Sequence, residues 1–246
     1  MNRRATVGFD RPVRLAWLDA AAARVALGGT FAEVRTAVWD ILEGVVAGAD
    51  AHGARGKTVT VVAKAWAAPT SGDATLRARA VALLPEATAD ERLAIHWALL
   101  MATYPLFTDV AEAVGRIVAF HDAFHVGQVT RRMVELWGDR TTVVRATPRV
   151  VSSMMEWGAL RRADASDAYA VATPRPVGPE VGALLIRALL ADGAVSSVPM
   201  KSVRTMPTFF PFVVGHLEEA VAADPELEVH QQGFGDDVVE VRARRE

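Results

Sequence analysis

DRTTVVRATPRVVSSMMEWGALRRADASDAYAV, residues 139–171, is the stretch on which the reading of the fold turns. Thr142 and Thr147 are residues whose side-chain oxygen can accept from a first-turn N–H. Pro148 follows Thr147, where a missing N–H costs nothing. The pattern therefore predicts a short helix from Thr142 through Arg145 and a second helix capped by Thr147. Along that second helix Val150, Val151, Met154 and Trp157 are expected to face inward, leaving Arg149, Ser152, Ser153 and Glu156 at i, i+3, i+4 and i+7 facing out. Gly158 stops the helix, and strands are expected over Leu160–Ala163 and Ala168–Ala172 around the turn DASD. A helix from His125 to Trp137, ended by Gly138, precedes the stretch. Three helices and a hairpin in this order predict a winged helix-turn-helix over 121–176.

In that fold the start of the third helix enters the major groove. Arg145, Thr147, Arg149, Ser152 and Ser153 are accordingly the candidates for the groove, with Arg149 the base reader, and Arg131, Arg132, Arg140, Arg161 and Arg162 the candidates for phosphates. Between His125 and Ala163 there are seven arginines against three acidic residues, a local charge of +4 in a chain of −2. Against this, Asp164 and Asp167 put negative charge at the hairpin tip, and Glu156 lies on the reading face. The same fold could instead dock a protein, because one fold hosts several functions.

Working outward, 246 residues of which 51% are hydrophobic and 23% charged suffice for a buried core. A net charge of −2 excludes a protein-wide basic field, so affinity for a nucleic acid has to be local. The absence of cysteine excludes disulfides and thiolate chemistry. No stretch reaches the ~18 apolar residues that span a bilayer, which predicts a cytoplasmic protein without membrane contact. Asp10 and Pro12 predict the start of a first helix running to Gly28. Thr30 and Glu33 form a capping-box pattern for a second. Further helices are expected over 57–66, 76–84, 90–103 and 106–120, with PTSGD, residues 69–73, as a loop. The sequence thus predicts a mainly α chain: a helical bundle over 1–120, the winged unit, and a small α+β module over 177–246. In the last module a helix over 180–191, a helix from TFFPFVVGHLEEAV (208–221), and strands Leu227–Gln231 and Val238–Arg242 around GFGDD repeat the helix, helix, hairpin order. The module could be a degenerate second winged helix.

Two motifs suggest other chemistry. GARGKT around Gly56 and Lys57 imitates a phosphate-binding loop, but Ala51 stands where the first glycine is required, and a helix precedes it where a strand is needed. His121 and His125, with Asp122 between them, imitate a helical zinc pair of a metal-dependent hydrolase, with only His216 or a freely chosen acid as third ligand. No nucleophile elbow or dinucleotide fingerprint occurs, so the expectation is a non-catalytic protein with neither cofactor nor metal.

The segments ERLAIHWALLMATYPLFTDVAEAVG (91–115), ELWG (135–138) and VVSSMMEWGALRR (150–162), with Gly56-Lys57-Thr58 opening an N-terminal helix, resemble the BrxA family of BREX phage-defence systems in their arrangement. The resemblance implies a small, non-enzymatic DNA-binding component of a bacterial defence island, working beside methyltransferase and ATPase partners. GFGDDVVEVRA has no counterpart in it.

Overall fold

The computed structural model describes residues 4–48, 50–68, 74–163, 167–191, 195–232 and 236–242, and these are mainly helical. The loop expected at 69–73 and the centres of both hairpin turns, 164–166 and 233–235, lie outside the described residues. Helices α1 (Leu15–Ala26), α2 (Phe31–Ile41) and α3 (Ala54–Ala67) pack against one another. The capping box of α2 forms: Thr30 Oγ1 accepts from the Glu33 N–H, and the Glu33 carboxylate accepts from the Thr30 N–H at 2.7 Å. That backbone bond holds the Glu33 carboxyl below its ordinary range. Thr88 and Glu91 repeat the device at the head of α5 (Ala89–Thr103).

The first helix starts later than its sequence suggests. Asp10 does not cap it; Arg14 is the N-cap, and residues 6–10 and 12–14 form neither helix nor strand. The reason is tertiary. Phe9 and Val13 are fully buried, the Val13 N–H donates to Ser153 Oγ at 2.9 Å, and the Val13 carbonyl accepts from Trp157 Nε1 at 2.9 Å. A backbone whose polar groups are satisfied 140 residues away gains nothing by coiling.

Helices α4 (Ala74–Leu83), α5, α6 (Pro105–Val118) and α9 (Pro179–Ala191) form the centre, with α9 lying along α5. Both α5 and α9 are buried almost all round, as a helix apolar on every side must be. One contiguous core contains residues from all three segments expected from the sequence. Close approach of α6 to the turn Pro207–Phe209 requires Gly115, where a Cβ would lie 2.0 Å from the Pro207 carbonyl oxygen.

Between Phe124 and Trp157 the chain makes two helices rather than three. These are α7 (Val126–Trp137) and α8 (Thr141–Glu156), joined by Gly138–Arg140, where Gly138 takes φ +81°. Thr142 and Thr147 cap nothing, and Pro148 lies inside α8. Continuity wins because Val143, Ala146, Thr147, Val150 and Val151 bury a stripe that crosses the expected break, while Pro148 and Val144, the carbonyl it deprives of a donor, are exposed to water. Thr147 Oγ1 donates back to the Val143 carbonyl at 3.0 Å instead of capping. Strands β1 (Leu160–Arg162) and β2 (Tyr169–Val171) follow as an antiparallel hairpin, and Phe124, between α6 and α7, bridges to Tyr169.

The expected helix over 208–221 is also replaced. Strand β3 (Arg175–Val177) pairs in parallel with β5 (Phe212–Val214), Pro207–Phe209 makes one 3-10 turn, and only Leu217–Ala222 is α-helical, as α11. Pro211 has no N–H to give and disfavours helical geometry before it, and Val213–Val214 prefer extended backbone. Strand β4 (Ser197–Pro199), helix α10 (Met200–Val203), and strands β6 (Leu227–Gln232) and β7 (Asp236–Val241) complete the chain, in a sheet ordered β4-β7-β6. The order α6, Phe124 bridge, α7, α8, β1, β2 recurs as α9, β4, α10, α11, β6, β7 apart from the turn Pro207–Phe209 and strand β5 inserted between α10 and α11, and in both series the first extended segment pairs with the last strand.

Two buried polar groups set the stability. Arg187, 1% exposed at the middle of α9, donates to both carboxylate oxygens of Asp224 at 3.2 Å and to Glu226; Arg79 lies 3.3 Å from Asp224 and donates to the Ala223 carbonyl. Removing the guanidinium leaves the Asp224 carboxylate buried with less compensation, so Arg187→Ala is expected to destabilise the protein by about 3–5 kcal/mol, read as a lower denaturant midpoint. His96, fully buried, accepts from Trp66 Nε1 at Nδ1 (3.0 Å); because the indole can only donate, the ring proton sits on Nε2, facing Asp19 Oδ1 at 3.0 Å. Burial lowers the His96 pKa from its ordinary 6.5, outweighing Asp19. Below about pH 6.5 the unfolded chain therefore takes up a proton that the folded chain refuses, and stability falls as pH falls. Unfolding titrations at pH 7.5 and 5.5 are expected to show this loss, and His96→Asn, which keeps an acceptor for Trp66, is expected to reduce it.

Candidate nucleic-acid interface

The ten residues that the sequence assigns to DNA contact divide into two groups. On α8, Thr141, Thr142, Arg145, Pro148 and Ser152 are exposed, so the N-terminal half of the helix presents a solvent-facing ridge. One side of its C-terminal half is covered by the N-terminal segment. Arg149 Nη1 donates to the Asp10 carbonyl at 2.6 Å, Ser153 Oγ accepts from Val13, and Glu156 Oε2 accepts from the Leu15 N–H at 2.9 Å. Thr147 and Ser153, expected outside, are 0% and 1% exposed. The helical wheel placed Val150, Val151, Met154 and Trp157 inside, where they are. It could not show that residues 10–15 would bury a second side of the same helix.

The phosphate candidates divide similarly. Arg140, the N-cap of α8, donates to the carbonyls of Trp137, Ala5 and Arg4 at 3.0–3.1 Å, which leaves it a clamp on the N-terminal segment. Arg132 pairs with Glu135 at 3.0 Å, in an exposed contact of small energetic weight. Arg131 and Arg145 are exposed and have no hydrogen-bond or ion-pair partner among the described residues. On β1, Arg161 and Arg162 are both exposed; Arg162 stacks over Tyr169, 4.6 Å from the ring centre, and Arg161 donates only a long bond to the Arg162 carbonyl. Asp167, beside the hairpin turn, is exposed as well. Between α6 and α7 a groove of about 400 Å³ is lined by Arg116, His121, Gln128, Arg131 and Arg132, with Glu135 at its side.

The two motifs of other chemistry are taken up differently. Gly56 lies in the first turn of α3, packed so that a Cβ would meet the Ala51 carbonyl at 1.8 Å, and the Lys57 N–H is bonded to the Gly53 carbonyl. Arg55 is buried, stacked on Trp39 and donating to the Trp39 carbonyl. The backbone and the Arg55 guanidinium of this corner are therefore spent on the helical bundle, whereas the Lys57 side chain is exposed. His121 follows α6 and His125 is the N-cap of α7, so the two imidazoles do not share one helical face, and both are exposed.

Sequence reasoning missed Asp10 and Val13 as partners of α8. The available signal is the pair Phe9 and Val13, apolar residues flanking a polar stretch, of which the sequence pattern places only Val13 in a helix. Comparison of the chain with protein-family models, with curated proteins and with solved structures finds no match.

Proposed function

We propose that residues 105–171 are a winged helix-turn-helix that binds duplex DNA without catalysing a reaction, in register one helix earlier than the sequence suggested. In this reading α6 is the first helix, Phe124 the first strand, α7 and α8 the helix-turn-helix, and β1–β2 the wing. Support comes from the chain order, from the three-residue turn containing Gly138 between α7 and α8, and from the antiparallel bridge of Phe124 to Tyr169. The observation that carries the DNA reading is the uncommitted guanidinium of Arg145 on the open N-terminal half of α8, with Arg131, Arg161 and Arg162 also exposed. Arg145 would reach a base edge, Thr141 and Thr142 hydroxyls and Ser152 could hold phosphates, and Arg131, Arg161 and Arg162 would neutralise the backbone. The likeness to BrxA proteins extends the proposal to a defence assembly in which partner proteins supply the chemistry.

A second reading, docking of a protein on the same unit, is favoured by apolar groups left in water beside it: Phe120, 86% exposed after α6, and Val144, 38% exposed next to Arg145. Salt separates the two, because displacement of counterions makes DNA affinity fall steeply with ionic strength.

Fluorescence anisotropy with a random duplex of about 25 base pairs is expected to show binding at low salt that weakens with added salt. Arg145→Ala is expected to cost about 1–3 kcal/mol of affinity with unchanged stability, and Arg161→Ala to lower the log–log salt slope by about 0.9. Arg149→Ala should behave in the opposite way, losing about 1 kcal/mol of stability through its bond to Asp10 and little affinity. No binding at low salt, or equal loss of affinity from the Arg145 and Arg149 variants, would overturn the proposal.

A further inference from the structure

Strands β6 and β7 bring together three metal-ligating side chains for which the proposed function has no use. Alternation along β6 places Glu228 and His230 on one face. Glu240 on β7 is the direct cross-strand partner of Glu228. His230 Nε2 lies 3.1 Å from Glu228 Oε1 and 3.0 Å from Glu240 Oε1, and the three donor atoms fall within 4.8 Å of one another. Among the described residues this is the one group of three such side chains so close.

Two carboxylate oxygens thus converge on a single ring nitrogen. A neutral imidazole has one N–H there at most, and one hydrogen cannot point well at two acceptors. A cation among the three atoms resolves the geometry. At zinc bond lengths of about 2.0–2.1 Å and tetrahedral angles, neighbouring donors stand about 3.3 Å apart, a few tenths of an ångström from the two distances His230 makes, while the Glu228 and Glu240 oxygens lie within 4.8 Å of each other. The other Glu228 oxygen accepts from Arg242 Nε at 3.1 Å, which fixes the carboxylate and leaves Oε1 for the ion. All three side chains are partly exposed, so water can complete the coordination.

We propose that Glu228, His230 and Glu240 form a surface zinc site, with water as the fourth ligand, that fastens the β6–β7 hairpin. One imidazole and two carboxylates suit zinc, whereas magnesium prefers oxygen donors in an octahedron. Strand β6 is an edge of its sheet, bonded only to β7, so an ion held by both strands secures the strand most prone to fray.

The test is zinc titration of the full chain against a chromophoric chelator at neutral pH, where one ion per chain is expected. His230→Ala and Glu240→Gln are each expected to weaken binding at least about tenfold, by analogy with the 10–100-fold losses seen even for outer-shell changes. His121→Ala combined with His125→Ala is expected to leave the affinity unchanged. A chain that binds no zinc at about 100 µM would overturn the site. So would unchanged affinity in both hairpin variants, or loss of zinc in the His121 and His125 variant alone. The hairpin residues lie on the surface, and a circular dichroism spectrum identical to the parent excludes misfolding as the cause of lost binding.

Discussion

The indole of Trp97 is the contact on which the rest of the architecture depends. It is fully buried in α5, it donates to the Thr208 carbonyl at 2.9 Å, and it meets Phe107, Trp157, Phe210 and Phe212 edge-on or nearly so, with centroids 4.9–6.2 Å apart. Those partners come from α6, from the residue that ends α8, and from Phe210 and the first residue of β5, in the segment that replaces an expected helix. One side chain therefore relates α6 to the end of α8 and holds the C-terminal segment beside both. Truncation of a core tryptophan typically costs 3–5 kcal/mol, which is a large part of the stability of an ordinary domain. This cluster anchors the C-terminal end of α8, whose orientation is shared with its packing on α7 and its bonds to residues 10–15.

The arginines show why local charge is a poor guide to available charge. Seven of them between residues 125 and 163 give the stretch its formal +4. Arg140 and Arg149, however, aim their N–H groups at backbone carbonyls of the N-terminal segment, and Arg132 is matched by Glu135. A guanidinium carries five donors on a long apolar stem, so it serves equally well as a brace for carbonyls that lack partners and as a ligand for phosphate. Burial and partners, not sequence position, separate the two uses.

Elements whose information is local were legible in the sequence. The box at Thr30, the stop at Gly138 and the paired strands at the two hairpins all depend on residues within a few positions of one another. The inward stripe of α8 was legible for the same reason. What escaped was decided at long range. Pro148 reads as a helix start because that is its cheapest place in an isolated chain, yet the stripe it interrupts is buried strongly enough to carry the helix through. Ser153 reads as exposed because nothing nearby needs its oxygen; the group that does is the Val13 N–H. The stretch 208–221 has helical composition at its end only, and Pro211 was the signal against the rest.

The repeated order of elements sharpens the functional reading by contrast. In the second series the helix equivalent to α8 is α11, which shows Glu218 and Glu219 to solvent, and its hairpin carries Glu228 and Glu240. From 179 to 242 the sequence has ten acidic residues against four basic ones. A phosphate backbone would be repelled from that surface, whereas it would meet unpaired guanidinium groups on the first series. The acidic C-terminal segment is suited to cations or to a basic surface, and the stretch 125–163, at +4, to anions. On the proposed reading, a duplex would be drawn toward α8 and the β1–β2 hairpin and repelled from the C-terminal sheet.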